Sequence, residues 1–512
     1  MNLKVKKIDF ETGNQKDVVL NSKDAERLGQ KAGERVIVKN KESSSMDQKY
    51  WVGIVRIDYA GTLISEGEIG IFSDTLRVVA SKNFIENVSV KPADPPDSFK
   101  FIQKKVRGEQ LTSEEINKIV DDAVSGHLSR IDLAAFITSI SINGLNNKEM
   151  TALAIAETRS GEVFNFGPKV FDKHSTGGVP GNKVSLIIVP IVAAAGLTIP
   201  KTSTRAITSP SGTADSMEVL APVAFESEEL KELVSKTKAC IVWGGALDTS
   251  PADNVLIRVE RPLHMDPVGL MIPSILCKKK SMGVKKLALD IPVGEGTKFK
   301  TVEDGKKFAL LFKEIAQNVG IEAQSALTYA HQPVGHKIGP ALEAKEALTL
   351  LRDYSAGPNS LIEKSTSLAG MIFEMAGKTP KGEGQKLAKK ILKNGKAYEK
   401  MKEIIEAQGG DPDITPDEIE LGAHQKKIYS SKTGFITEVD NGIINQISKT
   451  LGCPFSKKSG VDINKKQGAK IEKGERILTM YSDSEEKLGR AEKIYNQTGG
   501  PIILGGMVIE RV

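Results

Sequence analysis

From residue 166 to about 425, strand-like apolar runs (VSLIIVPIVAAAG, LALDIPVG) alternate with segments of helical period (KKFALLFKEIAQNVG, GPALEAKEALTLLRDY). Alternation of this kind predicts an α/β lobe. The flanking segments carry different periods. Residues 1–90 read as short strands, LKVKKIDF, ERVIVKN, WVGIVRI, EIGIFS and RVVAS, and DAERLGQKAGERVIV gives a short helical turn and a Gly-turn into a strand. Many short strands with one small helix predict a compact barrel. The polar, Pro-rich linker KPADPPD (Lys91 to Asp97) marks a boundary. Residues 95–165 turn helical: Thr112 to Glu115 has capping-box form, and Ile116, Ile119, Val120 and Ala123 follow at helical spacing. LAAFITSISINGL and KEMTALAIAETRSG predict further helices. Residues 426–512 return to short strands (TGFITEV, GVDI, GAKIEKGERILTMY) with a helix over EEKLGRAEKIYN, a β-rich module. Several domains are expected in any case, because 512 residues are too many for one core.

Composition narrows the function. The 39% apolar and 27% charged fractions are ordinary for a globular enzyme, and aromatics at 5% argue against a surface that stacks sugars or single-stranded bases. Lys and Arg number 71 against 65 Asp and Glu, a net +6 spread thinly over the chain. Such a balance suits a small anionic substrate and no nucleic acid, whose binders cluster their charge. The three cysteines, Cys240, Cys277 and Cys453, form no CxxC pair, so neither a disulfide framework nor a zinc site is expected. The start MNLKVKKIDF has no signal-peptide core, and the apolar stretch Ser185 to Leu197 is too short to span a bilayer. A cytoplasmic protein with no membrane partner is expected.

Two stretches carry the chemistry. Asp172 to Ser185 reads DKHSTGGVPGNKVS: Gly177, Gly178 and Gly181 permit close backbone approach, while Lys173, Ser175, Thr176 and Ser185 add donors. The following apolar run would seat the loop on an element whose helix N-terminus favours an anion. The stretch reads as a phosphate cradle, and it lacks the adjacent Gly–Lys–Ser/Thr of a Walker A loop; its bland alternative is a Gly-rich surface turn. Thr202 to Glu218 is dense in hydroxyls, with Arg205, a turn at Pro210 to Gly212, and carboxylates. It can hydrogen-bond sugar hydroxyls and phosphate oxygens, or simply cap a helix through Thr213 or Asp215.

Both stretches resemble the thymidine/pyrimidine-nucleoside phosphorylase family (class II nucleoside phosphorylases). KHSTGG at 173–178 matches its phosphate loop, and Ser203 to Ile207 with Gly212, Thr213, Asp215 and Glu218 matches its signature. Thr204, Pro210, Ser211 and Met217 are mild departures. WGGALDTSPADN (243–254), SILCK (274–278), LDIPVGEGTK (289–298) and QPVGHKIGPALEAKEAL (332–348) extend the likeness over about 95–512. The preceding segment of about 90 residues is similar to that of archaeal nucleoside-monophosphate phosphorylases, and DAERLGQKAGERV looks like the start of a double-psi-type barrel.

The resemblance implies a multidomain α/β fold: an N-terminal small β-barrel (1–90), a helical lobe (95–165, with 250–281 returning to it), a large mixed-sheet catalytic α/β lobe (166–425) with a cleft, and a C-terminal α+β module (426–512). Every candidate site residue lies beyond 170, so the barrel is expected to serve assembly. It implies phosphorolysis of AMP, and of CMP and UMP, to free base and ribose 1,5-bisphosphate in nucleotide breakdown, by a homodimer or higher homo-oligomer. Inorganic phosphate is a co-substrate and no cofactor is expected. Phosphate is assigned to Lys173, Ser175, Gly178, Ser185 and Thr213. Nucleotide contacts fall to Gly178, Thr204, Arg205, Ala206, Ile207, Thr208, Ser209, Thr213, Ser274 and Lys298.

Asp266 is assigned as proton donor to the base. An isolated aspartate titrates near ~3.9, so this role needs burial or anionic neighbours; the structural alternative is an N-cap before Pro267. Ser274 and Lys278 share a helical face, which Pro273 should kink or restart. Lys278 is the weaker candidate, since Lys278 to Lys280 reads as a solvated face. His331 and His336 have the wrong spacing for two ligands on one helical face, and no metal is expected. Three alternatives stand beside the AMP reading: a pyrimidine nucleoside phosphorylase, a magnesium-dependent phosphoribosyltransferase, and a non-catalytic nucleotide-binding assembly protein.

Overall fold

The computed structural model describes residues 1–13, 16–40, 50–79, 85–206, 209–247 and 249–506. The chain divides into two compact units, Met1–Gly161 with Ser250–Ser274, and Glu162–Thr249 with Ile275–Val512.

The first unit opens with six strands: β1 (Asn2–Ile8), β2 (Asp17–Asn21), β3 (Arg35–Asn40), β4 (Tyr50–Asp58), β5 (Glu68–Phe72) and β6 (Asn87–Pro92). They close into a barrel in the order β1-β5-β2-β4-β3-β6, with β1·β5 and β2·β4 parallel. Val18, Leu20, Val36, Val38, Ile69 and Ile71 are buried in its core. The predicted strand RVVAS is corrected over its first three residues, which end the helix Ser73–Val79; its last two lie outside the described residues. Ser73 and Asp74 start it, the serine hydroxyl bonding Ile8 O at 3.2 Å and the aspartate accepting Thr12 N at 2.8 Å, and Leu76 packs on the barrel core. β2 and β6 complete the barrel although neither was predicted as a strand. All five β2 residues are buried, so its sequence shows no alternation.

A helical bundle follows, Ser98–Val106, Ser113–Ser125, Arg130–Asn143 and Asn147–Arg159, joined by Pro251–Leu263. The capping box expected at Thr112 and Glu115 is present, and Ser129 with Asp132 and Asn146 with Glu149 form two more. Ile116, Ile119, Phe136, Ile137, Leu153 and Leu256 form the core. Beside it Lys105 and Glu149 pair at 2.8 Å, both almost fully buried.

The second unit contains β7 (Phe171–Ser175), β8 (Ile199–Ser203), β9 (Ala239–Trp243), β10 (Lys286–Val293) and β11 (Glu322–Tyr329). β11-β10-β7 and β8-β9 are parallel sheets, and a single parallel bridge, Val170 to Thr198, links them. The strand-like run VSLIIVPIVAAAG is corrected: Val184–Ala194 is a helix, and ten of its eleven residues are buried. A helix enclosed on every side has no polar face, so its sequence carries no helical period. The C-terminal module pairs its strands antiparallel: His424–Tyr429 and Gly460–Ile463 flank Arg476–Ser482, while Lys470–Ile471 and Ile502–Gly505 flank Gly434–Val439. Parallel and antiparallel ladders thus occur together in this unit. Among the described residues no helix is long and apolar enough to cross a membrane.

Candidate active site

Parallel strands leave their C-terminal ends as the place where loops can gather. β7 delivers Asp172 to Ser175 in succession, so Lys173 and Ser175 face one side and Asp172 and His174 the other. The chain then turns through Gly177 and Gly178, at φ 85° and 92°. A side chain at Gly178 would meet the Thr297 Cα at 3.0 Å, whereas one at Gly177 would meet nothing within 4 Å. Close approach fixes the first and conformation the second. Asn182 ties the loop down, its amide donating to Ser175 Oγ at 3.0 Å and to Asp290 Oδ2 at 3.3 Å. Thr176 N donates to Asp290 O at 3.0 Å. The loop ends on the helix Val184–Ala194, whose N-terminus has no side-chain cap and whose first turn buries Ser185. Lys183, at the cap position, turns inward to Glu346 at 2.6 Å and Val334 O at 3.0 Å.

A layer of buried ions underlies this loop. Asp290 Oδ2 lies 3.0 Å from Lys364 Nζ and 3.8 Å from Lys173 Nζ, and Thr328 donates to its Oδ1 at 2.6 Å. Asp172 lies 2.6 Å from Lys279 and 3.7 Å from Lys201. Four buried lysines therefore share two buried aspartates. Burial pushes the Asp290 carboxyl up, but Lys364, Lys173 and the Thr328 hydroxyl together outweigh it and hold it at about 2. Burial draws Lys173 down to about 8 against the pull of Asp290, with Lys364 adding repulsion. Burial likewise brings Lys201 to about 7, opposed by Asp172. His174 is held well below the usual imidazole range by burial and by Lys279, Lys201, Lys278 and Lys173, so it stays neutral. Such a layer is incompletely neutralised by the protein, and an anion on the loop relieves it.

The second loop leaves the end of β8. Arg205 grips Glu218 through both terminal nitrogens at 2.5 and 2.7 Å, reaches Asp215 at 3.4 Å, and lies over the Trp243 ring at 4.8 Å. Lys457 pairs with the same glutamate at 2.5 Å. Asp215 accepts Ala206 N at 2.7 Å and Gly212 N at 2.8 Å. Gly212 is the N-cap of the short helix Thr213–Met217, so neither Thr213 nor Asp215 stands at the cap position, and Asp215 serves the helix start as its third residue, accepting the Gly212 amide. A side chain at Gly212 would meet Thr204 O at 2.6 Å. The loop is wound onto itself around that glycine, with Thr204 exposed at its outside and Ser209 Oγ donating to Ser211 O at 3.0 Å. Ile207 and Thr208, assigned to the nucleotide, lie outside the described residues.

A third loop follows β10 and carries Lys298, exposed, with its backbone beside Gly178. The helix Val268–Ser281 continues through Pro273 without restarting and carries half-buried Ser274 and Lys278 one turn apart. The triple-lysine run is corrected: Lys279 is buried on Asp172, and half-buried Lys280 donates to Val319 O at 2.7 Å. Asp266 belongs to the first unit and is exposed. The first turn after it bonds back to the Pro267 carbonyl, from Leu270 N at 2.9 Å and Met271 N at 3.0 Å, so Pro267 stands at the cap and Asp266 precedes it. His336 Nδ1 contacts Ile463 O at 3.0 Å, and His331 packs by Tyr329.

Residues 167–398 match the glycosyl transferase family a/b domain, 99–161 its helical bundle domain, and 435–498 the pyrimidine nucleoside phosphorylase C-terminal domain. The AMP phosphorylase of Methanocaldococcus jannaschii is 45% identical over 510 residues, 100% of this chain and 99% of that one. That of Pyrococcus furiosus is 43% identical, covering 99% and 98% of the two chains. The chain belongs to the AMP phosphorylase family. Membership of the AMP phosphorylase family bears out the likeness to class II nucleoside phosphorylases read from KHSTGG and the 203–218 signature. Over 60% of this chain the fold is similar to that of anthranilate phosphoribosyltransferase from Thermus thermophilus, at TM-score 0.50 and 20% identity, covering 98% of that chain.

Within this AMP phosphorylase family member, the sequence motifs named the loops and left the layer beneath them unseen. Lys201, Lys279, Asp290 and Lys364 come from four separate elements. A signal for them existed in part, as lysines set among apolar residues in LIEKSTSLAG and SILCKKKS.

Proposed function

We propose that the protein cleaves the bond between base and ribose of AMP with inorganic phosphate, releasing adenine and ribose 1,5-bisphosphate, and does the same to CMP and UMP in nucleotide breakdown. The observation that carries this reading is the surplus of buried lysine charge under the KHSTGG loop, which matches a phosphate anion in place of a hydroxyl or water. Lys173, Ser175, Gly178, Ser185 and Thr213 hold phosphate behind the anomeric carbon. A phosphate oxygen bonds to that carbon as the carbon–nitrogen bond breaks, and the base leaves with a proton from Asp266. Because Asp266 is exposed, the anionic neighbours this role requires are the substrates' own phosphates. Ser274 and the 204–209 loop contact the nucleotide. Lys298, exposed beside Gly178, is suited to the 5′-phosphate that separates a nucleotide from a nucleoside enzyme. Arg205 has both terminal nitrogens on Glu218 and acts chiefly by shaping its loop.

No cofactor is required in this scheme. The N-terminal barrel, whose parallel pairs β1·β5 and β2·β4 are compatible with a double-psi topology, serves assembly into a homo-oligomer. The test is phosphate-dependent base release, measured side by side for AMP, CMP, UMP and the matching nucleosides. AMP should be preferred without added metal. Equal or faster turnover of nucleosides would move the reading to a nucleoside phosphorylase, and strict magnesium dependence to a phosphoribosyltransferase.

A further inference from the structure

Lys364 lies in the helix Asn359–Met375 among buried Leu361, Ile362, Ser365 and Leu368. An ammonium there pays a desolvation cost that needs a return. Its Nζ is 3.0 Å from Asp290 Oδ2 yet makes no directed hydrogen bond among the described residues. The same oxygen also accepts from Asn182, and Oδ1 accepts from Thr328. Asp290 is thereby occupied on both oxygens. Lys173, the ammonium of the phosphate loop, stays 3.8 Å away. The other nearby carboxylate, Asp172, is taken by Lys279 and Lys201. A simple Lys173–Asp290 pair would neutralise itself and leave the loop no charge to offer. The third ion changes that.

We propose that Lys364 is a positioning residue for phosphate capture: it occupies Asp290 and so keeps the Lys173 ammonium available to the incoming anion. This rests on the reading of the KHSTGG loop as the phosphate site. Two consequences separate it from a merely structural lysine. Removing Lys364 weakens the use of phosphate and spares that of AMP. It also raises the affinity of Lys173 for its proton, because a repelling neighbour is gone and no second ammonium offsets the pull of Asp290.

The experiment uses the full chain with Lys364→Met, Lys364→Gln and Lys364→Arg. Steady-state rates are measured against phosphate and against AMP across pH, with melting followed with and without inorganic phosphate. In the Met and Gln variants the Michaelis constant for phosphate should rise at least about tenfold near neutrality. That for AMP should stay within about twofold, and Arg should restore most of the loss. In the parent, kcat/KM for phosphate should fall as pH passes about 8, where Lys173 loses its charge. In the Met variant this limb should move up by about one unit. A folded Met or Gln variant with the parent's phosphate constant overturns the proposal. So does an equal loss toward both substrates with an unmoved alkaline limb. If Met alone fails to fold, the Gln variant decides by the same criteria. Should Lys173→Ala leave phosphate use unchanged in these assays, the phosphate-loop reading itself has failed.

Discussion

The loops after β7 and β8 leave neighbouring strands, yet they spend charge in opposite ways. Beneath the 173–185 loop, four buried lysines meet two aspartates, and the excess is left for a ligand. In the 204–218 loop the charges are consumed internally: Arg205 and Lys457 close on Glu218, and Asp215 accepts two backbone amides. The difference teaches that one loop keeps charge in reserve while the other spends its charge on holding its own shape. The first should respond to substitution through phosphate use, the second through nucleotide fit.

The largest effect should come from a residue in neither loop. Asp266→Asn should lower turnover of AMP by roughly 10²–10⁴ while nucleotide binding survives. Near-parent turnover would mean that the proton comes from elsewhere, one of the two loops included. Next, Lys173→Ala should cost about 1.5–3 kcal/mol in phosphate use with the AMP constant little changed. A loss shared equally by both substrates would erase the contrast between the loops. Glu218→Gln should weaken AMP use several-fold, matching Arg205→Ala, because each removes the same clamp. Tighter AMP binding in Glu218→Gln would show that a released Arg205 contacts the nucleotide directly. The smallest effect on chemistry is expected from deleting residues 1 to about 90: size-exclusion chromatography with light scattering should report fewer subunits while some turnover remains. A truncated protein with normal assembly would refute the assigned role of the barrel.

How far the sequence reached follows the same division. KHSTGG and the 203–218 signature are contiguous, so their residues were legible as loops with donors in order. The capping box at Thr112 and the strands β1, β3, β4 and β5 were legible for the same reason, since caps and alternation are local. What failed was burial from all sides. Val184–Ala194 and β2 lost their periods because every face is covered, and Lys279 was misjudged because a charge run gives no hint of an aspartate more than a hundred residues away. Asp290, Lys201 and Lys364 meet only once the strand order is fixed.

The enclosed helix Val184–Ala194 has one more consequence, for how activity is lost. It shares one buried core with Met217, Leu348, Ile372 and Ile404, residues of four other helices. Its amides can exchange with solvent only when that core opens, so they should be among the slowest in the second unit. The KHSTGG loop, proposed to hold phosphate, is fastened to the end of this rod. Heating should therefore abolish phosphate capture and this protected set of amides at one temperature, in a single step.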